Sequence, residues 1–315
     1  MLLFAPLHTR SFGERVAQHL GVELAASEER EHDGGEHKMR AQQRVSNRDV
    51  FVIQSLNGDA QASANDKLCR LLFFIASLRD AGAARVTACV PYLCYARKDR
   101  RSTAQDAVTL RYVAAMFETL GTDRLVVLDV HNESAFDNAF RCSTLRLAAD
   151  TALLDQLAQR CELQDVVVAA PDIGGVKRAQ WLQATLAERL GSSVDFAFME
   201  KRRSGDVLSG ERLVGEVAGR DLLIYDDMIA SGATIARATQ AARRAGARSI
   251  HVAATHAAFT SEAAQLAAPG GPDSVLVTDS ICLPEHLAAP LAPRLTICSV
   301  APLFADAIRS LAGRG

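Results

Sequence analysis

The sequence predicts an α/β protein built from mainly parallel sheets flanked by helices, and three observations carry that prediction. Short apolar runs alternate with stretches of helical periodicity along the chain. The runs are apolar almost throughout rather than at every second residue, as strands covered on both faces must be. An apolar run also ends in an aspartate at two similar points, Asp129 and Asp226, so that two halves of about 150 residues share one plan.

Taken in order, strands are predicted at 2–5, 50–54, 85–90, 124–129, 166–170, 196–199, 222–226, 250–255 and 275–278. Between them, apolar residues recur at three- and four-residue spacing over 11–20, 65–82, 109–120, 174–190 and 234–245, which predicts helices there. Alternation of this kind gives parallel sheets, whose ligands collect at strand C-terminal ends. The charged segment 26–48, with its Gly34-Gly35 turn, reads as a solvated hairpin, and the Ala-rich stretch 256–268 as helix surface. A chain of 315 residues exceeds one core, so two domains are expected, 1–145 and 146–299, the first completed by a C-terminal helix at 300–315.

Composition excludes some functions. Net charge is −2, and the 35 Lys and Arg are scattered, which argues against a nucleic-acid or membrane surface. Any bound anion must be held locally. The seven cysteines include no C-x-x-C pair and several lie in apolar runs, so most are expected to be buried in a reducing compartment. With no basic leader and no membrane-length apolar run, a cytoplasmic protein is expected.

Two stretches carry chemistry. The run from Leu222 to Thr234 reads as a buried strand, then Asp226 and Asp227, then a small-residue turn, Ala230-Ser231-Gly232-Ala233-Thr234, that opens a helix. Amides and hydroxyls at a helix N-terminus suit a phosphate, and the two acids suit sugar hydroxyls or a divalent cation. A ribose 5-phosphate fits both needs; the plainer alternative is a turn whose acids merely end a strand. The second stretch, Pro91 to Arg101, follows a strand and packs Arg97, Lys98, Arg100 and Arg101 around Asp99. Such a cluster is either a solvated loop or a binder of nucleotide polyphosphate. The polar segment 102–108 after it reads as a mobile lid.

Together with Asp49 to Ser55, Asn65-Asp66, Leu128 to His131, Pro171 to Arg178, Lys201-Arg202-Arg203 and Thr278 to Ile281, these stretches resemble the ribose-phosphate diphosphokinase family, in family order. The resemblance implies two phosphoribosyltransferase-like domains and transfer of the diphosphoryl group of ATP to ribose 5-phosphate. It further implies that His131 and Asp172 hold Mg²⁺, that Lys201 and Arg203 neutralise the transferred group, and that Arg97, Lys98, Asp99 and Arg100 lie against ATP. Arg203, Asp226, Asp227 and the 230–234 turn would hold ribose 5-phosphate. A hairpin from a neighbouring subunit would clamp the adenine, which implies a homo-oligomer, dimer or hexamer.

The chain departs from the family pattern at that hairpin. His32 replaces a stacking Phe and Gly34 an Asp, while Glu36 is kept. Lys98 replaces a Gln, Ala230 an Asp, and Gln105-Asp106-Ala107-Val108 a stretch with an Arg and a Pro. These changes imply a divergent member. They also leave two other readings open: a non-catalytic subunit that assembles with an active paralogue, or a transferase that uses 5-phosphoribosyl 1-diphosphate as donor.

Overall fold

The computed structural model describes residues 1–204 and 207–313, and the side chains at 164 and 201–211 also lie outside that description. The first stretch of chain gives β1 (Leu2–Phe4), α1 (Arg10–Leu20), β2 (Ser27–Glu31), β3 (His37–Ala41), β4 (Asp49–Ile53), α2 (Ala64–Asp80), β5 (Arg85–Val90), α3 (Thr109–Thr119), β6 (Arg124–Leu128), α4 (Glu133–Ala139) and β7 (Ser143–Leu147). The second gives α5 (Asp150–Leu157), β8 (Val166–Ala170), α6 (Val176–Leu190), β9 (Phe196–Ser204), β10 (Val207–Val214), β11 (Asp221–Ile229), α7 (Ala233–Arg244), β12 (Ser249–Ala257), β13 (Ser274–Thr278), α8 (Glu285–Ala288) and β14 (Leu295–Cys298). The chain ends on α9 (Ala301–Ala312).

These elements form two compact units. One holds Met1–Ala148, Ser280–Cys282 and Val300–Gly315; the other holds Ala149–Asp279 and Leu283–Ser299. The first unit is therefore discontinuous, and its returning pieces are pinned on. Ser55 Oγ donates to the Ser280 carbonyl at 2.6 Å, and Phe304 of α9 meets Phe12 of α1 edge-on at 5.6 Å.

In the first unit the strand order is β1-β4-β5-β6-β7, and every pair is parallel. The order follows the chain, so the sheet has no point at which its winding reverses. Val50, Val52, Val86, Ala88, Leu125 and Val127 meet Leu71, Ile75, Val113 and Phe117 of the helices in one buried cluster. Each large side chain fully removed from water there contributes about 1.5–3 kcal/mol. The start of α2 is set by a capping box: Ser63 Oγ accepts from Asp66 N at 3.1 Å, and Asp66 Oδ2 accepts from Ser63 N at 2.8 Å.

In the second unit the order is β10-β9-β8-β11-β12-β13-β14, parallel except for β10 on β9. From β8 the chain runs outward to β9 and β10, then jumps back to β11 on the other side of β8. That reversal between β8 and β11 is a topological switch point, where open α/β sheets leave a crevice beyond their strand ends.

Four expectations change. Strand β11 runs on to Ile229, so Asp226 and Asp227 lie within the strand rather than after it, because the parallel ladder to β12 continues as far as Ala257. Strand β9 runs past Met199 to Ser204, since hairpin pairing with β10 extends it through the charged residues at 200–203. The stretch 256–268 is not helix surface: Ala257 ends β12 and a 3-10 helix spans Ser261–Ala267, with Ala263 and Leu266 buried. Of the seven cysteines, only Cys89, Cys94 and Cys298 are buried, and Cys69 and Cys282 are exposed. No helix among the described residues is long and apolar enough to cross a membrane.

Candidate active site

In the first unit the expected ligand residues follow three strands. Residues 32–36 form the turn of the β2–β3 hairpin, where His32, Gly34 and Glu36 are all exposed. His32 N donates to the Glu36 carbonyl at 2.7 Å, and Gly34 and Gly35 take φ of +87° and +82°. That backbone strains any residue with a β-carbon, which accounts for the glycine pair. The hairpin is anchored below its tip, by Arg70 to Glu31 at 2.8 Å and by Leu7 N to Glu29 at 2.8 Å.

The cationic run follows β5. Lys98 N donates to the Tyr95 carbonyl at 2.9 Å and Leu110 N to the Lys98 carbonyl at 3.2 Å, so the backbone is tied at both ends. Tyr95 itself sits at φ +62°, an uncommon conformation for a non-glycine residue, and its hydroxyl bonds Asn65. Arg97, Lys98, Arg100 and Arg101 are exposed and form no ion pair among the described residues. Their charges face solvent. The turn beyond them is knit by one carboxylate: Asp106 accepts from Ser102 N, Thr103 N and Thr103 Oγ1, each at 2.8 Å, and these bonds, Thr103 first, hold its carboxyl below the usual range.

Past β6 the chain turns at Asp129, whose φ is +36°, and reaches the exposed His131. Asn132 then does two jobs. Its Oδ1 caps α4 by accepting from Ala135 N at 3.2 Å, and its Nδ2 donates to Asp99 Oδ2 at 2.7 Å. The cationic run and the His131 turn are thereby joined.

In the second unit, Asp172 follows β8 and accepts from Gly175 N at 2.9 Å, which fixes its carboxylate at the head of a short 3-10 turn. Next to it across the switch point, Asp226 Oδ1 accepts from Asp227 N at 2.9 Å and from Arg178 Nη1 at 2.6 Å. Arg178 Nη1 also lies 3.3 Å from Asp227 Oδ1. Burial first, and then the Asp227 charge, push the Asp226 carboxyl above the ordinary range, while Arg178 pulls it back.

After β11 the turn is shaped from behind. The Ala230 carbonyl accepts from Thr260 N at 3.2 Å and the Ser231 carbonyl from Gln265 Nε2 at 2.6 Å. Gly232, at φ +76°, lies against Leu266 so closely that a Cβ would come within 3.0 Å of its Cγ. Helix α7 has no side-chain cap, and its first internal bond is Ala236 N to the Gly232 carbonyl at 2.8 Å. Of the preceding first-turn amides, Ala233 N reaches its neighbour Ser231 Oγ at 3.4 Å and those of Thr234 and Ile235 lack helix acceptors, and an anion seated there gains roughly 0.3–1 kcal/mol from the helix dipole alone.

The structure thus groups Asp226, Asp227 and Ala230 to Thr234 at one strand end of the second unit, with Asp172 just beyond the end of the neighbouring strand. It groups Arg97 to Arg100 with His131 at strand ends of the first. The backbone of Lys201 and Arg203 lies on β9, and their side chains are outside the described residues. Sequence reasoning missed Arg178 and Asn132 as site residues. Both stand in the stretches quoted above or directly beside them, but their partners are distant: Arg178 lies 48 residues from Asp226, and Asn132 lies 33 from Asp99.

An open sheet with a switch point, a helix N-terminus offered to an anion and carboxylates beside it define a sugar-phosphate or nucleotide-handling α/β protein. Comparison with known proteins narrows the class. Residues 1–121 match the N-terminal domain of ribose phosphate pyrophosphokinase, and residues 208–314 match the phosphoribosyl synthetase-associated domain. The ribose-phosphate pyrophosphokinase of Vibrio vulnificus is 36% identical over 99% of this chain and 96% of its own length. That of Haemophilus influenzae is 32% identical over 98% and 95%. The crystal structure of phosphoribosylpyrophosphate synthetase from Mycobacterium smegmatis superposes with a TM-score of 0.88 at 33% identity, covering 100% of this chain and 99% of that one. The chain belongs to the ribose-phosphate pyrophosphokinase family, which are enzymes that transfer diphosphate groups.

Proposed function

We propose that this chain transfers the β,γ-diphosphoryl group of ATP to the C1 hydroxyl of ribose 5-phosphate, giving 5-phosphoribosyl 1-diphosphate and AMP. The observation that carries the reading is the uncapped N-terminus of α7 with Asp226 and Asp227 on the strand that leads to it. One end of such a site suits a phosphate, and the other suits hydroxyls. In the reaction the C1 oxygen bonds to the β-phosphorus, the bond from that phosphorus to the α,β-bridging oxygen breaks, and the hydroxyl proton is lost. Most of the demand is positioning and neutralisation of charge rather than covalent catalysis.

On this reading the second unit takes the sugar phosphate: amides and hydroxyls of 230–234 on the 5-phosphate, and Asp226 with Asp227 on the ring hydroxyls. The first unit takes the nucleotide, with Arg97, Lys98 and Arg100 on the phosphates and Asp99 fixed by Asn132. Lys201 and Arg203 carry the transition-state charge. The exposed tip bearing His32, Gly34 and Glu36 serves the adenine of a second copy, which makes the active form a homo-oligomer.

Mg²⁺ fits the residues present. Among the described residues no three His, Cys, Asp or Glu gather into a metal cage. Magnesium needs none, since it commonly takes one or two protein ligands and completes its shell with water and phosphate oxygens. By the family resemblance His131 and Asp172 are each a candidate ligand, and the ion when bound would neutralise the phosphates.

Incubation with ATP, Mg²⁺ and ribose 5-phosphate should release AMP, and Lys201→Ala should lower the rate by about a hundredfold or more. Release of no more AMP than that variant gives would overturn the reading. A second reading, a non-catalytic subunit of a mixed oligomer, is favoured by Gly34, which has no side chain with which to read a base. It predicts no AMP from the chain alone and activity changes only on mixing with a paralogue.

A further inference from the structure

The acidic pair on β11 is held by a residue from another element. Arg178 lies in the first turn of α6, the helix that follows β8, and the adjacency of β8 and β11 at the switch point brings it under the pair. Its Nη1 stands 2.6 Å from Asp226 Oδ1 and 3.3 Å from Asp227 Oδ1. All three side chains are largely withdrawn from water, at 13%, 19% and 6% exposure. Two carboxylates so close and so desolvated repel one another, and a guanidinium is the one side-chain cation that stays charged and plane-fixed beside them.

Geometry adds a second point. Asp226 Oδ1 takes two donors, Arg178 and the Asp227 amide, which together fix the plane of the carboxylate. The Asp227 side chain also bonds the Asp226 carboxyl, so the two acids and the guanidinium form one unit. We propose that Arg178 is a positioning residue for the sugar, bridging Asp226 and Asp227 so that they accept the two adjacent ring hydroxyls of ribose and discriminate against sugars that lack one. This deepens the functional reading above and rests on it. Arg178 touches the carboxylates and acts on the substrate only through them.

The difference between ribose 5-phosphate and 2-deoxyribose 5-phosphate isolates this role, because a merely structural defect weakens both alike. Binding of each is measured by titration calorimetry to the full chain with Mg²⁺ and a non-hydrolysable ATP analogue present, for the parent protein, Arg178→Gln and Arg178→Lys. The parent should prefer the ribose form. Arg178→Gln should weaken ribose 5-phosphate by about tenfold or more and the deoxy sugar far less, so that discrimination collapses. Arg178→Lys should fall between, since one ammonium keeps the charge but not the fixed fork. If Arg178→Gln does not fold, Arg178→Lys decides alone. Parent-like discrimination in a folded variant overturns the inference and leaves the functional reading standing. No binding by the parent overturns the reading, and this inference with it.

Discussion

The turns after β6 and β11 stand at comparable points of the two units and are built to opposite ends. After β6, Asn132 turns its own side chain onto the head of α4 and closes it. After β11, Gly232 has no side chain, α7 is left uncapped, and the carbonyls of Ala230 and Ser231 are drawn back toward Thr260 and Gln265. The first sheet winds steadily in chain order, while the second reverses between β8 and β11. A capping side chain satisfies the same amides that an anion would. The lesson is that stability and binding compete for one set of N–H groups, and each unit resolves the competition differently.

Swapping the devices tests this. Gly232→Asn tolerates the left-handed backbone best among residues with a β-carbon but brings a cap to α7, and its Cβ would press on Leu266. It should lower kcat/KM for ribose 5-phosphate by about a hundredfold while KM for ATP barely moves. Unchanged sugar use would show that the open turn does not seat the phosphate. The reverse change is milder. Asn132→Ala uncaps α4 and should cost about 1 kcal/mol in denaturant unfolding. It also frees Asp99, so KM for ATP should rise several-fold with no effect on the sugar. An equal rise in both would break the assignment of separate tasks.

The smallest effect belongs to the opposite edge of the second sheet, where strands begin rather than end. His251, near the start of β12, is buried and hydrogen-bonded to Ser249 at 3.0 Å and Ser274 at 2.8 Å. Burial lowers its pKa from 6.5, helped by Arg160 and Arg243, while Asp221 and Asp273 pull the other way. The unfolded chain therefore binds the proton first, and stability should decline as pH falls below about 6.5. His251→Gln should flatten that part of the stability curve and leave sugar discrimination at pH 8 as it was; a slope that persists assigns the loss to other groups.

How much of this was legible in the sequence depends on the range of the interaction. Continuous apolar runs such as Val166–Ala170 announce a buried strand by themselves, because both faces are covered. The edge strands Ser143–Leu147 and Leu295–Cys298 carry polar or half-exposed residues and are absent from the predicted strands. The charged end of β9 is a strand only because β10 pairs with it. In the candidate site, the small-residue turn from Ser231 to Thr234 that opens α7 was readable, since residue type and chain order suffice there. Arg178 was not, because its role exists only once β8 and β11 are neighbours.

The return of 280–282 and 300–315 to the first unit bears on how the protein is made. Phe12 of α1 meets its partner ring only when Phe304 has been synthesised, nearly the whole chain later. On the ribosome, the amino-terminal body must therefore wait with part of α1 uncovered while everything up to α9 is added, whereas all pieces of the second body are in hand by residue 299. The body begun first is thus the one completed later, and until α9 joins it the ring of Phe12 lacks its aromatic neighbour.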